Sequence, residues 1–250
     1  MPDMVKKTVK LTKDPAGAPA FDLDSLGESR IDLKKRADKV GISLSKAGLS
    51  GMRAQVVLLL DHSGSMNYDY HNGAVQALVE RVLAFSLQVD ADGEIPVIAF
   101  DSRLYPAVTV TVDNYQGVVD SQIWRRHEMG STVMSAPLEA LKAIAEKSDY
   151  PVFAVVIGDG SPNREDKRAT KKVAYELAGY PVFIKFLSLR PVDFLQELDD
   201  ATEKDRLLDN IDAKDIPDPQ GIAELAFADL MVDEWQSWID AATKHGVISS

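Results

Sequence analysis

Cysteine is missing altogether from the 250 residues. That excludes disulfides, thiolate zinc sites and a cysteine nucleophile, and it fits a reducing cytoplasm, the expected location. No apolar run approaches the roughly 20 residues a helix needs to cross a bilayer, so no membrane span is expected. No apolar h-region follows Lys6 and Lys7, so no signal peptide is expected either. A basic stripe is lacking as well. The net charge is −11, and an acidic chain makes a poor nucleic-acid partner. No glycine is followed by lysine, which rules out a phosphate-cradling P-loop, and no internal repeat is visible.

What is present suits a globular chain: 45% hydrophobic and 27% charged residues, in a length that accommodates one α/β domain with extensions. The charge is unevenly spread. Residues 191–250 hold 4 basic and 15 acidic side chains, so the acidic excess sits in the C-terminal quarter. Such an end can attract cations or a basic partner, although a solvated face is the commoner explanation.

The organising stretch runs from Val56 to Met66. Five apolar residues, Val56 to Leu60, stop abruptly at Asp61, which reads as a strand buried on both faces of a parallel sheet. Ligands of open α/β sheets bind outside the carboxyl ends of the strands. Asp61, Ser63 and Ser65 then place one carboxylate and two hydroxyls on a tight loop at such an end. Oxygen donors of this kind suit magnesium or calcium.

Around this strand the chain alternates. Residues 1–50 read as an N-terminal arm (1–28) and a short helix docking on the core, with Val5, Val9 and Leu11 on one face of a short strand. A short helix follows from Ser29, with Gly41 placed to end it, and Ile42 and Leu44 then suggest another small strand. Val75 to Leu83 carry the apolar stripe of a crossover helix. Ile95–Phe100 is the second core strand, Val108–Val112 an edge strand, and Tyr115–Trp124 a weak helix. Further on come a helix after Ser135, a buried strand Val152–Ile157, a helix capped by Asn163, and a strand Val182–Leu189. Residues 51–190 thus predict an α/β core: a Rossmann-like, doubly wound, mostly parallel sheet with helices on both faces. Residues 191–250 read as short acidic helices that complete the domain, the last bearing Trp235 and Trp238 as core packing.

Val152–Ile157 is followed by Gly158 and Asp159, so a second strand ends near an aspartate. In the common doubly wound order the first and fourth strands flank the switch point, which sets Asp61 and Asp159 side by side. Thr132, on the loop before the intervening helix, can reach the same place. The set is two carboxylates and three hydroxyls: Asp61, Ser63, Ser65, Thr132 and Asp159. His62 and His127 lie nearby and are expected to face solvent.

Asp61-x-Ser63-x-Ser65, then Thr132, then Asp159 resembles the metal-ion-dependent adhesion site of the von Willebrand factor A (vWA) family, over roughly residues 50–190. The resemblance implies a six-stranded sheet with one short antiparallel edge strand. It also implies a Mg²⁺ ion (or Ca²⁺ or Mn²⁺) held by these five residues, with the last position filled by a partner's Asp or Glu. Ser131 stands where Gly is frequent in that family and Gly158 where Thr is frequent. Neither departure removes a ligand. A closer resemblance rests on Asp32–Ala37, Val40–Lys46, Tyr70–Gln76, Asp90–Gly93 and the acidic, Trp-containing tail. These segments are similar to the A-domain proteins of bacterial tellurium-resistance, or toxic-cation stress, gene clusters. That implies a cytoplasmic protein that works with other proteins of its cluster.

Enzymatic readings are weaker. Ser63 is not in a G-x-S-x-G elbow, and Asn163 replaces the third glycine of a dinucleotide fingerprint begun at Gly158. An aspartyl-phosphate hydrolase is the best alternative, but Ser63 occupies the position where such enzymes want a second carboxylate for acid–base work. The sequence therefore predicts a non-enzymatic, metal-dependent protein-interaction module. A vWA fold with a vestigial site is the other alternative.

Overall fold

Alternate residues of the central strands enter two different hydrophobic cores. The computed structural model describes residues 4–202 and 204–249. In chain order its elements are β1 (Val9–Lys10), α1 (Ile31–Lys46), β2 (Gln55–Asp61), α2 (Asn67–His71), α3 (Ala74–Val89), β3 (Glu94–Phe100), β4 (Val108–Thr111) and α4 (Ser135–Lys147). Then follow β5 (Val152–Gly158), α5 (Lys167–Glu176), β6 (Val182–Ser188), α6 (Asp193–Asp199), β7 (Ile211–Asp215), α7 (Glu224–Val232), α8 (Trp235–Lys244) and β8 (Ile248–Ser249). Val56, Leu58 and Leu60 of β2 face one core, built with Leu33 of α1, Leu78 of α3, Met231 of α7 and Trp235 of α8. Val57 and Leu59 face the other, built with Leu141 of α4, Ala174 of α5 and Leu195 of α6. The two-residue period of a strand thus converts an unbroken apolar run into contacts on both faces.

The sheet runs β4-β3-β2-β5-β6-β7. Every neighbouring pair is parallel except β3 with β4, so β4 is the short antiparallel edge. Strand order reverses between β2 and β5, whose register pairs Leu60 with Ile157. Asp61 therefore lies beside Gly158, one residue from Asp159. The switch point falls where the sequence places it.

Local elements differ from expectation in three places. Gly41 does not end the first helix, and Ile42 and Leu44 belong to α1, not to a strand. The reason is packing: a Cβ on Gly41 would sit 3.1 Å from the Gln88 amide, which donates to the Ala37 carbonyl. The glycine lets α1 approach α3. Secondly, the tail is not all helical, because Ile211–Asp215 supplies the sixth strand and pairs with β6. Thirdly, Asn163 lies four residues before α5, where its carbonyl accepts the amides of Asp166 and Lys167. The arm pairs along the domain, with β1 parallel to β8 and Ala20 and Phe21 donating to Gln88 and Leu87. Trp235 and Trp238 are buried among Phe85, Phe153 and Phe183.

One buried charge fastens the tail to the sheet. Lys185, in β6, is fully buried and donates to the Asp212 carboxylate of β7 and to the carbonyls of Leu230 (2.9 Å) and Asp233 (3.0 Å) at the end of α7. Burial pushes the lysine pKa down, and the charge of Asp212 pulls it back up. A buried charge left without its partner is costly. Lys185→Ala is therefore expected to destabilise by about 3 kcal/mol in urea denaturation, the low end for a broken buried pair because Lys214 still reaches the other Asp212 oxygen at 3.0 Å. The double change Lys185→Met with Asp212→Leu should recover most of that loss, because it leaves no lone charge.

Candidate metal centre

The loop after β2 is shaped by its own side chains. Asp61 Oδ1 accepts the Ser63 amide at 2.7 Å, closing a tight turn of the kind aspartate favours. The Tyr70 hydroxyl donates to the Asp61 carbonyl at 2.9 Å and holds α2 over the strand end. Ser63 Oγ lies 3.1 Å from Ser65 Oγ, and Ser65 donates to Asp159 Oδ1 at 2.8 Å. Four of the five proposed ligands are therefore linked directly. The fifth arrives through the backbone. Ser63 bridges to Gly130, the Gly64 amide donates to the Gly130 carbonyl at 2.9 Å, and the Thr132 carbonyl accepts the Asn163 amide at 2.9 Å. Thr132 thus stands between the loop after β2 and the loop after β5. Its side chain is buried, as are those of Asp61, Ser63 and Asp159, while Ser65 is exposed.

Two glycines open the space. A Cβ on Gly130 would come within 2.8 Å of Asp101 Oδ2, so the loop carrying Thr132 can pass only with a bare backbone there. A Cβ on Gly158 would lie 3.2 Å from Asp61 Oδ2. That oxygen is buried and finds no hydrogen-bond partner among the described residues. Burial pushes the Asp61 carboxyl up to about 7; hydrogen bonds from Ser63 oppose the rise, and the charges of Asp159 and Asp101 add to it. An acceptor left unpaired in this way is a place where a cation would be stabilised.

Asp101 was open to the same reading that found Asp61, since it directly follows the apolar strand β3. It is fully buried, and its carboxylate accepts from the Arg103 amide, the Arg103 guanidinium and the Tyr105 hydroxyl. Burial alone would raise its pKa; these donors outweigh burial and bring it to about 2. His62 differs from expectation. It is buried, with Nε2 2.9 Å from the Trp124 carbonyl and its ring edge-on to Tyr70 and Tyr105. His127 is exposed and stacks on Tyr105. Arg190 was not foreseen either. It follows β6, donates to Asp159 Oδ2 at 2.6 Å and to Asp69 Oδ2 at 2.9 Å, and carries the sequence signal that exposed Asp61, a charge just past an apolar strand.

A second carboxylate group, Asp199, Asp212 and Glu234, has oxygens within 4.8 Å of one another. Here the chain supplies its own cation: the Lys214 ammonium lies 3.0 Å from Asp212, 2.8 Å from Asp233 and 3.4 Å from Glu234. Burial, then the charges of Glu234, Asp212 and Asp209, push Asp199 up to about 6, against the Ala213 amide that pulls it down. A raised carboxyl pKa means the folded chain prefers the proton, so stability falls as pH rises from about 4 to about 6. Asp199→Asn should therefore be more stable than the parent by about 1 kcal/mol at pH 8, after allowance for solvent screening, with no difference at pH 4. Urea titrations at the two pH values measure this.

Strand order, the single antiparallel edge and the three loops meeting at the switch point are those of the vWA class of domains. Within that class the chain belongs to the vWA-TerF-like family, described as the vWA found in the TerF C terminus, which matches residues 53–248. The match takes in β7 and the tail, beyond the 50–190 segment that the adhesion motif spans. The Bacillus subtilis (strain 168) protein YcbR is 33% identical over 227 residues, 87% of this chain and 90% of that one. Solved structures share the fold at low identity. Proximal thread matrix protein 1 from the mussel byssus is 16% identical with a TM-score of 0.53, over 72% of this chain and 47% of that one. Manganese-loaded Plasmodium vivax TRAP protein is 16% identical with a TM-score of 0.50, over 72% of each chain. The D319A mutant of the PilB minor pilin from Streptococcus sanguinis is 10% identical with a TM-score of 0.51, over 78% of this chain and 62% of that one. This chain thus spans less than two thirds of the pilin and about half of the mussel protein. No helix among the described residues is long and apolar enough to cross a membrane.

Proposed function

We propose that the chain is a divalent-metal-dependent protein-interaction module without catalytic turnover. Asp61, Ser63, Ser65, Thr132 and Asp159 would hold Mg²⁺, or Ca²⁺ or Mn²⁺, and a partner's acidic side chain would complete the shell. The observation that carries this is the buried Asp61 Oδ2, without a hydrogen-bond partner among the described residues, next to the linked hydroxyls and carboxylate of Ser63, Ser65 and Asp159. An all-oxygen donor set with two carboxylates suits a hard dication and leaves it residual positive charge. When bound, the ion supplies a Lewis-acidic contact for a carboxylate. Similarity to a protein described as manganese-loaded supports the choice of a divalent ion.

The surroundings favour an acidic partner. Arg103, Arg125, Arg126, Arg164 and Arg190 are exposed on segments that follow β3, precede Thr132, or follow β5 and β6, in a chain of net charge −11, and of these Arg103, Arg125 and Arg190 already pair with Asp101, Asp120 and Asp159. Guanidinium groups are suited to carboxylates. Asp101, which could otherwise serve acid–base chemistry, is tied to Arg103 and Tyr105. The partner would belong to a tellurium-resistance or cation-stress system in the cytoplasm, as the sequence resemblance to the A-domain proteins of such gene clusters implies.

Saturating Mg²⁺, at about a hundred times its dissociation constant, is expected to raise the melting temperature by about 5–10 °C. Asp61→Ala or Ser63→Ala should abolish that rise, while circular dichroism of each variant matches the parent. A melting temperature that still responds to Mg²⁺ in both variants refutes the assignment. Capture of partners from lysate should be lost with chelator, and metal-dependent phosphoester turnover would favour the hydrolase instead.

A further inference from the structure

Both oxygens of Asp159 are already engaged. Ser65 donates to Oδ1 at 2.8 Å and Arg190 to Oδ2 at 2.6 Å, and the second guanidinium nitrogen of Arg190 holds Asp69 at 2.9 Å. Among the described residues this is the ion pair that involves a proposed ligand. The guanidinium is held on a short tether. The Leu189 amide donates to the Gly158 carbonyl at 2.9 Å, Ser188 Oγ donates to the Arg190 carbonyl, and Pro191 follows. Leu189 and Gly158 thus lock the turn bearing Arg190 to the strand end bearing Asp159. One side chain therefore ties together α2 and the loops after β5 and β6. Its side chain is still 45% exposed, so it can swing into solvent without opening the core.

We propose that Arg190 is a built-in counter-ion that competes with the metal for Asp159, so that it sets the affinity of the site and is displaced when the ion enters. This rests on the metal-site reading above and adds a regulatory element to it. The physical case is simple. Asp61 and Asp159 lie at one rim, and in the absence of a cation their mutual repulsion needs a counter-charge; Arg190 provides it at Asp159. A dication arriving beside Asp159 meets like-charge repulsion from the guanidinium and must also replace its hydrogen bond. Removing the guanidinium leaves the carboxylate free for the ion. Repulsion between a dication and a guanidinium about 6 Å apart in a water-like dielectric corresponds to about a tenfold change in affinity.

The test is calorimetric titration with Mn²⁺ alone, on the parent chain, Arg190→Ala, Arg190→Lys and Ser63→Ala. Arg190→Ala is expected to bind Mn²⁺ about tenfold more tightly than the parent, and Arg190→Lys to fall near the parent because it keeps the charge. A crystal structure of the Mn²⁺-loaded parent should show the Arg190–Asp159 pair broken. Unchanged or weaker binding by Arg190→Ala, with Mn²⁺ still bound by the parent and lost in Ser63→Ala, overturns the counter-ion alone and leaves the metal site standing. An intact Arg190–Asp159 pair in the loaded crystal overturns it too. No binding by the parent or by Arg190→Ala overturns both readings.

Discussion

The register between β2 and β5 is the constraint on which the rest depends. Pairing Leu60 with Ile157 puts two strand ends at the same height, and with them Asp61 and the Gly158–Asp159 step. A shift of one residue would turn every side chain of the strand to the opposite face and mismatch both cores. The two cores thus protect the rim: Val56, Leu58 and Leu60 on one side and Val57 and Leu59 on the other exclude a one-residue slip. Burial of each such side chain is worth about 1.5–3 kcal/mol, so the alignment of the site is enforced by the most stable part of the molecule.

What that alignment produces is an electrostatic tension. Two carboxylates meet at a largely buried rim, one of them with an oxygen that no hydrogen bond reaches among the described residues, while a third, Asp101, is neutralised by Arg103 and Tyr105. The chain resolves the third internally and half-resolves the second through Arg190. Asp61 Oδ2 has no such partner among the described residues. The contrast with Asp199, Asp212 and Glu234 is instructive, because there Lys214 fills the cluster. Acidic groups close in space therefore mean different things according to whether the fold has delivered a cation among them.

The acidic tail belongs to the same physical unit as the sheet. Its sixth strand, β7, extends the sheet at β6, and the buried Lys185 joins Asp212 to the end of α7. Trp235 and Trp238 close one core against Phe153 and Phe183. The excess charge at this end, which composition alone left open to a role in binding, is partly consumed by these internal pairs.

Much of this was legible in the residues. An apolar run longer than a half-buried strand can use, broken by an aspartate, specifies a central parallel strand and a charged rim, and helical spacing of Val75, Leu78, Val79 and Val82 specifies the covering helix. Those are local properties of periodicity and solubility, so the sequence by itself determined the layered α/β class and singled out five oxygen-bearing side chains, four of which the fold links directly. Other features depend on neighbours remote in the chain. Gly41 looks like a helix stop until Gln88 packs against it, and Ile211–Asp215 has too many polar residues to read as a strand until β6 offers its edge. His62 is buried only because Trp124, Tyr70 and Tyr105 converge on it. Arg190 and Asp69 meet across 121 residues, a distance at which no pattern in the sequence carries the contact. Tertiary structure alone decided which charges are paired and which are left waiting, because pairing is a matter of proximity and burial, and both are created only when the strands align.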